Sequence, residues 1–425
     1  MSDILSELRW RNLIHQVTDE EGLGKLLAVG QQTVYVGFDP TADSLHVGSL
    51  LPLMMLRRFQ RAGHRPIALV GGATGMIGDP SGKSEERNLL SKDQLDQNVS
   101  GLKTQMEQFL DFEGDGAAIL VNNFDWMQGF SYLDFLRDVG KCFPVGTMMG
   151  KESVKARLSS EAGLSYTEFS YMLLQAYDFA VLSREHGCRL QAGGSDQWGN
   201  ITAGIDLGRR MGSPQLYGLT SPLLLTSDGR KMGKTERGAI WLSADKTSPY
   251  EFFQYWRNVA DEDVMTCLHY LTEIDQQECE SLAGEIKERP EARAAQTRLA
   301  EWMTEFVHGT AGLESAKKAS QVLFGGEISD MNDAQLTQIF SDVPSKELSA
   351  SVLAGEGLWI VDALRESGLV TSGGEARRGI KEGSVYVNNQ RCTDQDRRLA
   401  KDDLASETVL ILRRGRKKYA LLRFV

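Results

Sequence analysis

Apolar residues in the first half of the chain gather in short runs, each closed by a turn and followed by a stretch with helical spacing. Thr33-Val-Tyr-Val-Gly-Phe38 reads as a strand ending at Asp39-Pro40, and Leu45 to Ala62 follows with the period of a helix. Pro66 to Val70 predicts a second strand running into the glycine-rich Gly71 to Gly82. Cys188 to Ala192 and Leu223 to Thr226 predict two more, opening on Gly193 to Asn200 and on Ser227 to Arg230. Strands alternating with helices specify an α/β domain with a mainly parallel sheet, here over residues 1–245. In such sheets ligands bind beyond the carboxyl ends of the strands, so these loops are where a site is expected.

The texture changes at Ser248-Pro249, a good helix start. Tyr250 to His308 is almost free of glycine, rich in acids and helical in spacing, which predicts an α-helical domain over 246–325. Gly325-Gly326 and the acidic stretch behind it read as a loose connection, 326–356. Beyond it, two short helical patterns precede Ser384 to Val387, a turn at Asn388-Asn389 and the apolar run Val409 to Leu412. Residues 357–425 therefore predict a small α+β module.

With 425 residues, 41% hydrophobic and 25% charged, the chain has room for two or three domains with cores of their own. Collagenous, coiled-coil and disordered architectures are excluded. No apolar run approaches the ~18 residues that a membrane span needs. Met1 to Trp10 carries acids and no continuous apolar stretch, unlike a signal or transit peptide. Cys142, Cys188, Cys267, Cys279 and Cys392 are scattered and form no C-x-x-C pair, which argues against a disulfide framework or a zinc site. A cytoplasmic protein with no metal site of its own is expected. Any metal should arrive with a substrate.

The net charge of −11 is unevenly spread. From Ala376 to the end 13 Lys/Arg stand against 6 Asp/Glu, a net of +7, whereas the preceding residues hold 34 against 52. A basic tail on an acidic body suits a polyanionic partner, although a solvated face would look the same.

Gly78-Asp-Pro-Ser-Gly82-Lys83-Ser84 has three residues between its glycines where a phosphate loop needs four, and is not one. Lys83 and Arg87 remain cations beside a glycine-rich loop, suited to a phosphate or to solvent. In Asp39-Pro-Thr41-Ala-Asp-Ser-Leu-His46-Val-Gly48-Ser49 a histidine and a glycine fall in the first turns of a helix, where unpaired N–H groups attract phosphate. Lys231-Met-Gly-Lys234-Thr235 places two lysines in a glycine-punctuated loop able to close over developing negative charge. Either piece alone is unspecific. In this order and about 185 residues apart they are far more specific.

These two segments resemble the HIGH and KMSKS signatures of class I aminoacyl-tRNA synthetases. The surrounding text is similar to the bacterial tyrosyl-tRNA synthetase family essentially end to end. Tyr35 to His46, Ala68 to Pro80, Tyr166 to Phe179, Gly193 to Thr202 and Lys246 to Phe253 carry the likeness, and the last part resembles an S4-type RNA-binding module. The resemblance implies a Rossmann-like catalytic domain that joins L-tyrosine to ATP, with Mg²⁺ carried in by the nucleotide. The tyrosyl group then passes to the terminal ribose of tRNA(Tyr). A homodimer is implied as well. His46, Lys231 and Lys234 would act on the phosphates, helped by Lys83 and Arg87. Gly37, Asp39, Thr41, Gly48, Ser49, Gly194 and Asp196 would hold ATP or leave room for it. Tyr35 and Asp178 would bond the phenol of tyrosine, Asp79, Tyr171 and Gln175 its ammonium, and Gln197 its carboxylate. Tyr171, Gln175 and Asp178 lie at i, i+4 and i+7, on one helix face. Ser49 departs from the pattern, standing where HIGH has its second histidine. The competing readings are a tryptophanyl-tRNA synthetase or other adenylate-forming nucleotidyltransferase, and a non-catalytic RNA-binding paralogue. Tyr35 with Asp178 favours a phenol over an indole, and the retained histidine and lysines disfavour a dead paralogue.

Overall fold

In a computed structural model of the chain, the described residues are 3–80, 90–159, 163–235, 238–323, 325, 326, 328, 331–340, 343–415 and 418–425. The chain folds into two compact units, Met1–Thr247 with Trp256–Met303, and Ser248–Tyr255 with Thr304–Val425. The helical stretch expected over 246–325 is thus shared between the two.

The first unit is built on six strands: β1 (Gln16–Val17), β2 (Thr33–Phe38), β3 (Arg65–Val70), β4 (Ile119–Asn122), β5 (Leu190–Gly194) and β6 (Tyr217–Ser221). Their order is β1-β6-β5-β2-β3-β4, all parallel except β1, which runs antiparallel to β6. Strands covered on both faces must be apolar throughout, and β3 is buried from Pro66 to Val70. The chain builds outward from β2 through β3 to β4, then returns to place β5 on the other side of β2. The order reverses there, which opens a crevice between the carboxyl ends of β2 and β5.

Two local expectations change. The last strand of this sheet is β6, Tyr217–Ser221, and the expected strand Leu223–Thr226 does not form, because Pro222 has no N–H with which to continue a ladder. Leu225 makes only an isolated bridge to Lys231. His46 is not inside the helix that follows it: its backbone is extended, a 3₁₀ turn runs Val47–Ser49, and the α-helix is Leu50–Arg61.

In the second unit the sheet order is Gln390–Cys392, Val385–Val387, Val409–Arg414, Lys418–Phe424 and Ser345–Leu348. The first four pair antiparallel and the last is parallel to Lys418–Phe424. Asn388 and Asn389 take φ of 48° and 62°, the left-handed pair that a two-residue hairpin turn requires. Residues 345–348, in the expected connection, are therefore an edge strand. Gly325-Gly326 is held rather than loose, since the Asn389 amide donates to the Val322 and Gly326 carbonyls. The basic run near the end divides as well. Arg413 is buried over the Tyr386 ring at 3.8 Å and Arg414 pairs with Glu375 at 2.6 Å, so neither is a free phosphate contact. Arg416 and Lys417 lie outside the described residues, and Lys418 is exposed. No described helix is long and apolar enough to cross a membrane.

Candidate active site

The crevice at the reversal point is a cavity of about 540 Å³ within the first unit. Gly37 and Asp39 reach it from the end of β2, Gly194, Asp196 and Gln197 from the end of β5. Thr41, His46, Gly48 and Ser49 line it from the turn into Leu50–Arg61, and Asp79 from the glycine-rich loop after β3. Tyr171, Gln175 and Asp178 enter from helix Tyr166–His186, which Ser165 caps by accepting from the Glu168 N–H. Lys231 and Lys234 complete the wall. Lys83 and Arg87 lie outside the described residues.

One end of the cavity is closed and polar. Tyr35 and Asp178 are each 1% exposed, and the Tyr35 hydroxyl has no hydrogen-bond partner among the described residues. Tyr35 packs edge-on against Phe179 at 5.2 Å, which fixes its ring. The Asp178 carboxylate accepts from Asn123 Nδ2 at 3.0 Å and Trp126 Nε1 at 2.9 Å, one donor to each oxygen. Burial pushes its pKa up to about 7 against the pull of those two donors, and burial followed by the Asp178 charge raises the Tyr35 phenol well above its usual range. Nearby, Gln175 donates to Gln197 at 3.2 Å, and Gln197 donates to Asp79 at 2.8 Å. Asn200 also donates to Gln197, which locks the amide's orientation.

At the other end, both signature loops are knitted together. Val47 N–H donates to the Ile240 carbonyl and Leu242 N–H to the Leu45 carbonyl, so His46 sits opposite Trp241 with their rings 6.0 Å apart. A Cβ on Gly48 would lie 2.8 Å from the His46 ring, and one on Gly233 would lie 2.7 Å from Val47 Cβ. These glycines let backbone and imidazole approach. Lys231 and Lys234 remain exposed, while Met232 between them is 5% exposed.

Cavity, loop pairing and switch-point position agree with what the sequence comparisons give. Residues 29–325 match the family model described as tRNA synthetases class I (W and Y), and residues 335–422 match the tyrosine–tRNA ligase SYY-like C-terminal domain. The chain belongs to the class I tRNA synthetases of the tryptophan and tyrosine group. Within that family it is 67% identical to a tyrosine–tRNA ligase of Rhodopirellula baltica, over 99% of this chain and 96% of that one. A tyrosine–tRNA ligase of Roseiflexus castenholzii is 52% identical over the full length of both. Among solved structures, a C-terminally truncated Aspergillus nidulans mitochondrial tyrosyl-tRNA synthetase aligns with a TM-score of 0.69 at 30% identity, over 76% of this chain and 95% of that one.

Sequence reasoning missed Asn123 and Trp126, which hold Asp178, as well as Trp241 and Asn200. The signal for Asn123 was available: Asn122-Asn123 closes the apolar run Ile119–Val121 as polar loops close β2 and β5. Trp241 gave none, since its place opposite His46 is set by long-range pairing.

Proposed function

We propose that the chain is a tyrosine–tRNA ligase whose amino-acid and ATP sites are the two ends of this one cavity. The observation that carries the reading is the closed end, where a buried phenol oxygen, with no partner among the described residues, sits with a buried carboxylate. A site that leaves such groups buried is built to receive a hydroxyl, because without one their desolvation is uncompensated. Each Asp178 oxygen has spent one lone pair on Asn123 or Trp126 and keeps another for the substrate phenol. An indole N–H would satisfy Asp178 and leave the Tyr35 oxygen without a donor.

The rest of the chemistry follows from position. Asp79, Tyr171 and Gln175 receive the tyrosine ammonium, and Gln197 turns toward its carboxylate. That carboxylate attacks the α-phosphate of ATP, forming tyrosyl-adenylate and releasing pyrophosphate. No nucleophile of the protein is needed, so the catalytic task is to align reactants and stabilise charge leaving with pyrophosphate. His46 and Ser49 face the phosphates from the helix start, and Lys231 and Lys234 close on the β and γ groups. Lys83 and Arg87 are assigned as helpers there. Gly37 leaves space for adenosine: a Cβ there would make only an ordinary contact, with Leu69 at 3.9 Å. Thr41, Gly48 and Gly194 border the nucleotide, and Asp39 and Asp196 take ribose hydroxyls. Mg²⁺ enters with ATP and spreads the charge of the triphosphate.

The adenylate then yields its tyrosyl group to the terminal ribose of tRNA(Tyr). Exposed Arg377, Arg378 and Lys381 on helix Gly373–Lys381 give the second unit a basic face for RNA. A homodimer in the cytoplasm completes the reading. Tyr132, Leu133, Val145 and Tyr166, all more than half exposed, supply apolar surface for a second copy. The test is exchange of labelled pyrophosphate into ATP. Tyrosine should support it and tryptophan should not; exchange driven by tryptophan, or by no amino acid, refutes the reading.

A further inference from the structure

The lysine loop carries its two cations exposed, and exposed side chains stabilise a transition state only if their backbone is held in place. Part of that hold comes from the loop itself. The Thr226 N–H donates to the Arg230 carbonyl, Gly229 turns with a φ of 83°, and Met232 N–H returns to the Leu224 carbonyl. Pairing of Lys234 with Ala239 and the Ile240 N–H on the Gly233 carbonyl add to it, and helix Asp261–Leu271 touches the loop at both ends. Its first turn presents Asp263, 8% exposed, whose Oδ1 accepts from the Ser227 backbone N–H at 2.8 Å. One turn further on, Cys267, fully buried, donates its S–H toward the Met232 sulfur at 3.5 Å. Burial and the neighbouring Asp263 keep that thiol protonated.

The helix is fixed at its other end. Arg58 donates to the carbonyls of Tyr270 and Thr272, and Arg11 to those of Thr272 and Ile274, all within 3.1 Å. Both guanidiniums are buried, so carbonyls at and just past the end of the helix are satisfied by groups that are costly to withdraw. Arg58 stands on Leu50–Arg61, the helix that begins directly behind His46 and Gly48. The helix that starts at one signature loop therefore grips the end of the helix that carries the other.

We propose that helix Asp261–Leu271 is the base on which the lysine loop is positioned, with Asp263 and Cys267 as positioning residues for phosphate chemistry at Lys231 and Lys234. The assignment rests on reading those lysines as partners of the ATP phosphates. Neither residue touches the cavity's tyrosine end, so their loss should move rate and not tyrosine affinity.

Single-turnover formation of tyrosyl-adenylate by the full-length enzyme tests this. Asp263→Ala should lower the rate constant roughly tenfold, the scale of one lost buried hydrogen bond, with the tyrosine Kd changed less than about twofold. Asp263→Asn retains an acceptor for the Ser227 N–H and should recover most of the rate. Cys267→Ala, which empties only the space beneath Met232, should cost about threefold. Placed in a Lys231→Ala/Lys234→Ala background, both substitutions should become nearly silent, because the groups they position are gone. An unchanged rate in Asp263→Ala, no recovery in Asp263→Asn, or an equal loss in the background lacking the lysines would overturn the inference. If the lysine substitutions themselves left the rate intact, the failure would lie in the reading of the loop.

Discussion

The two ends of the cavity are built in opposite ways. At the end proposed to take tyrosine, Asp178 and Tyr35 are almost wholly buried, and Asn123, Trp126 and Phe179 hold them with defined geometry. At the end proposed to take the phosphates, Lys231 and Lys234 are exposed, and what is buried is the Met232 between them. Burial suits a group that must tell one side chain from another, since an unmatched partner then leaves a desolvated atom. Exposure suits a group that acts on charge appearing only as the reaction proceeds, since a buried lysine would itself be driven toward neutrality. Recognition and charge stabilisation are accordingly separable, and substitutions should separate them.

The largest effect should come from the exposed end. Lys234→Ala is expected to slow adenylate formation by roughly 10²–10³-fold, the loss of one preorganised charge-stabilising donor. At the buried end, Asp178→Ala should narrow the tyrosine-to-phenylalanine ratio of kcat/KM by roughly 10–100-fold, the cost of the unpaired group it removes. An unchanged ratio would place the pocket elsewhere. At the helix start, Ser49→Ala should cost about tenfold or less in pyrophosphate exchange, a neutral hydrogen bond, and His46→Ala more. The reverse ranking would mean that His46 serves only its packing against Trp241.

The buried carboxyl also predicts a pH signature. Because the folded-state pKa of Asp178, about 7, exceeds its ordinary value of 3.8, the folded chain holds a proton there that the unfolded chain has released. The contribution to stability is full below pH ~4 and is lost as pH rises to about 7. Denaturant titrations at both extremes should show wild type losing about 2–4 kcal/mol relative to Asp178→Asn across that window. A parallel pH dependence of the two proteins would contradict the assigned shift.

The smallest effect should be confined to RNA. Arg377→Ala should leave pyrophosphate exchange unchanged and weaken tRNA binding, lowering the salt slope by about 1. A truncation near Gly355, at the end of the connection expected over 326–356, would not isolate the last module cleanly. It would strip Ser345–Leu348 of its pairing strand and uncover Leu336 and Phe340, which pack with Val409 and Leu421.

What was legible in the sequence was what repeats locally. β2, the helical pattern over Ser165 to Phe179 and the Asn388-Asn389 turn follow from apolar period and turn chemistry, although the helix itself runs on to His186, and every described residue expected at the site lines the cavity. The illegible parts depend on partners distant in the chain. Nothing local distinguishes Arg413, stacked under Tyr386, from a phosphate-binding arginine, and nothing in Trp241 announces His46. The Leu223–Thr226 run was misread because Leu223 and Leu224 serve the cavity wall, and Leu225 is exposed, so the run does not join the ladder.

The separation of the two ends is tested most directly by stopped-flow titration of Lys234→Ala with tyrosine at saturating ATP. If the two ends act separately, the tyrosine Kd stays within about twofold of wild type and the rate constant falls roughly 10²–10³-fold. Weakened tyrosine binding with a normal rate constant would contradict that separation.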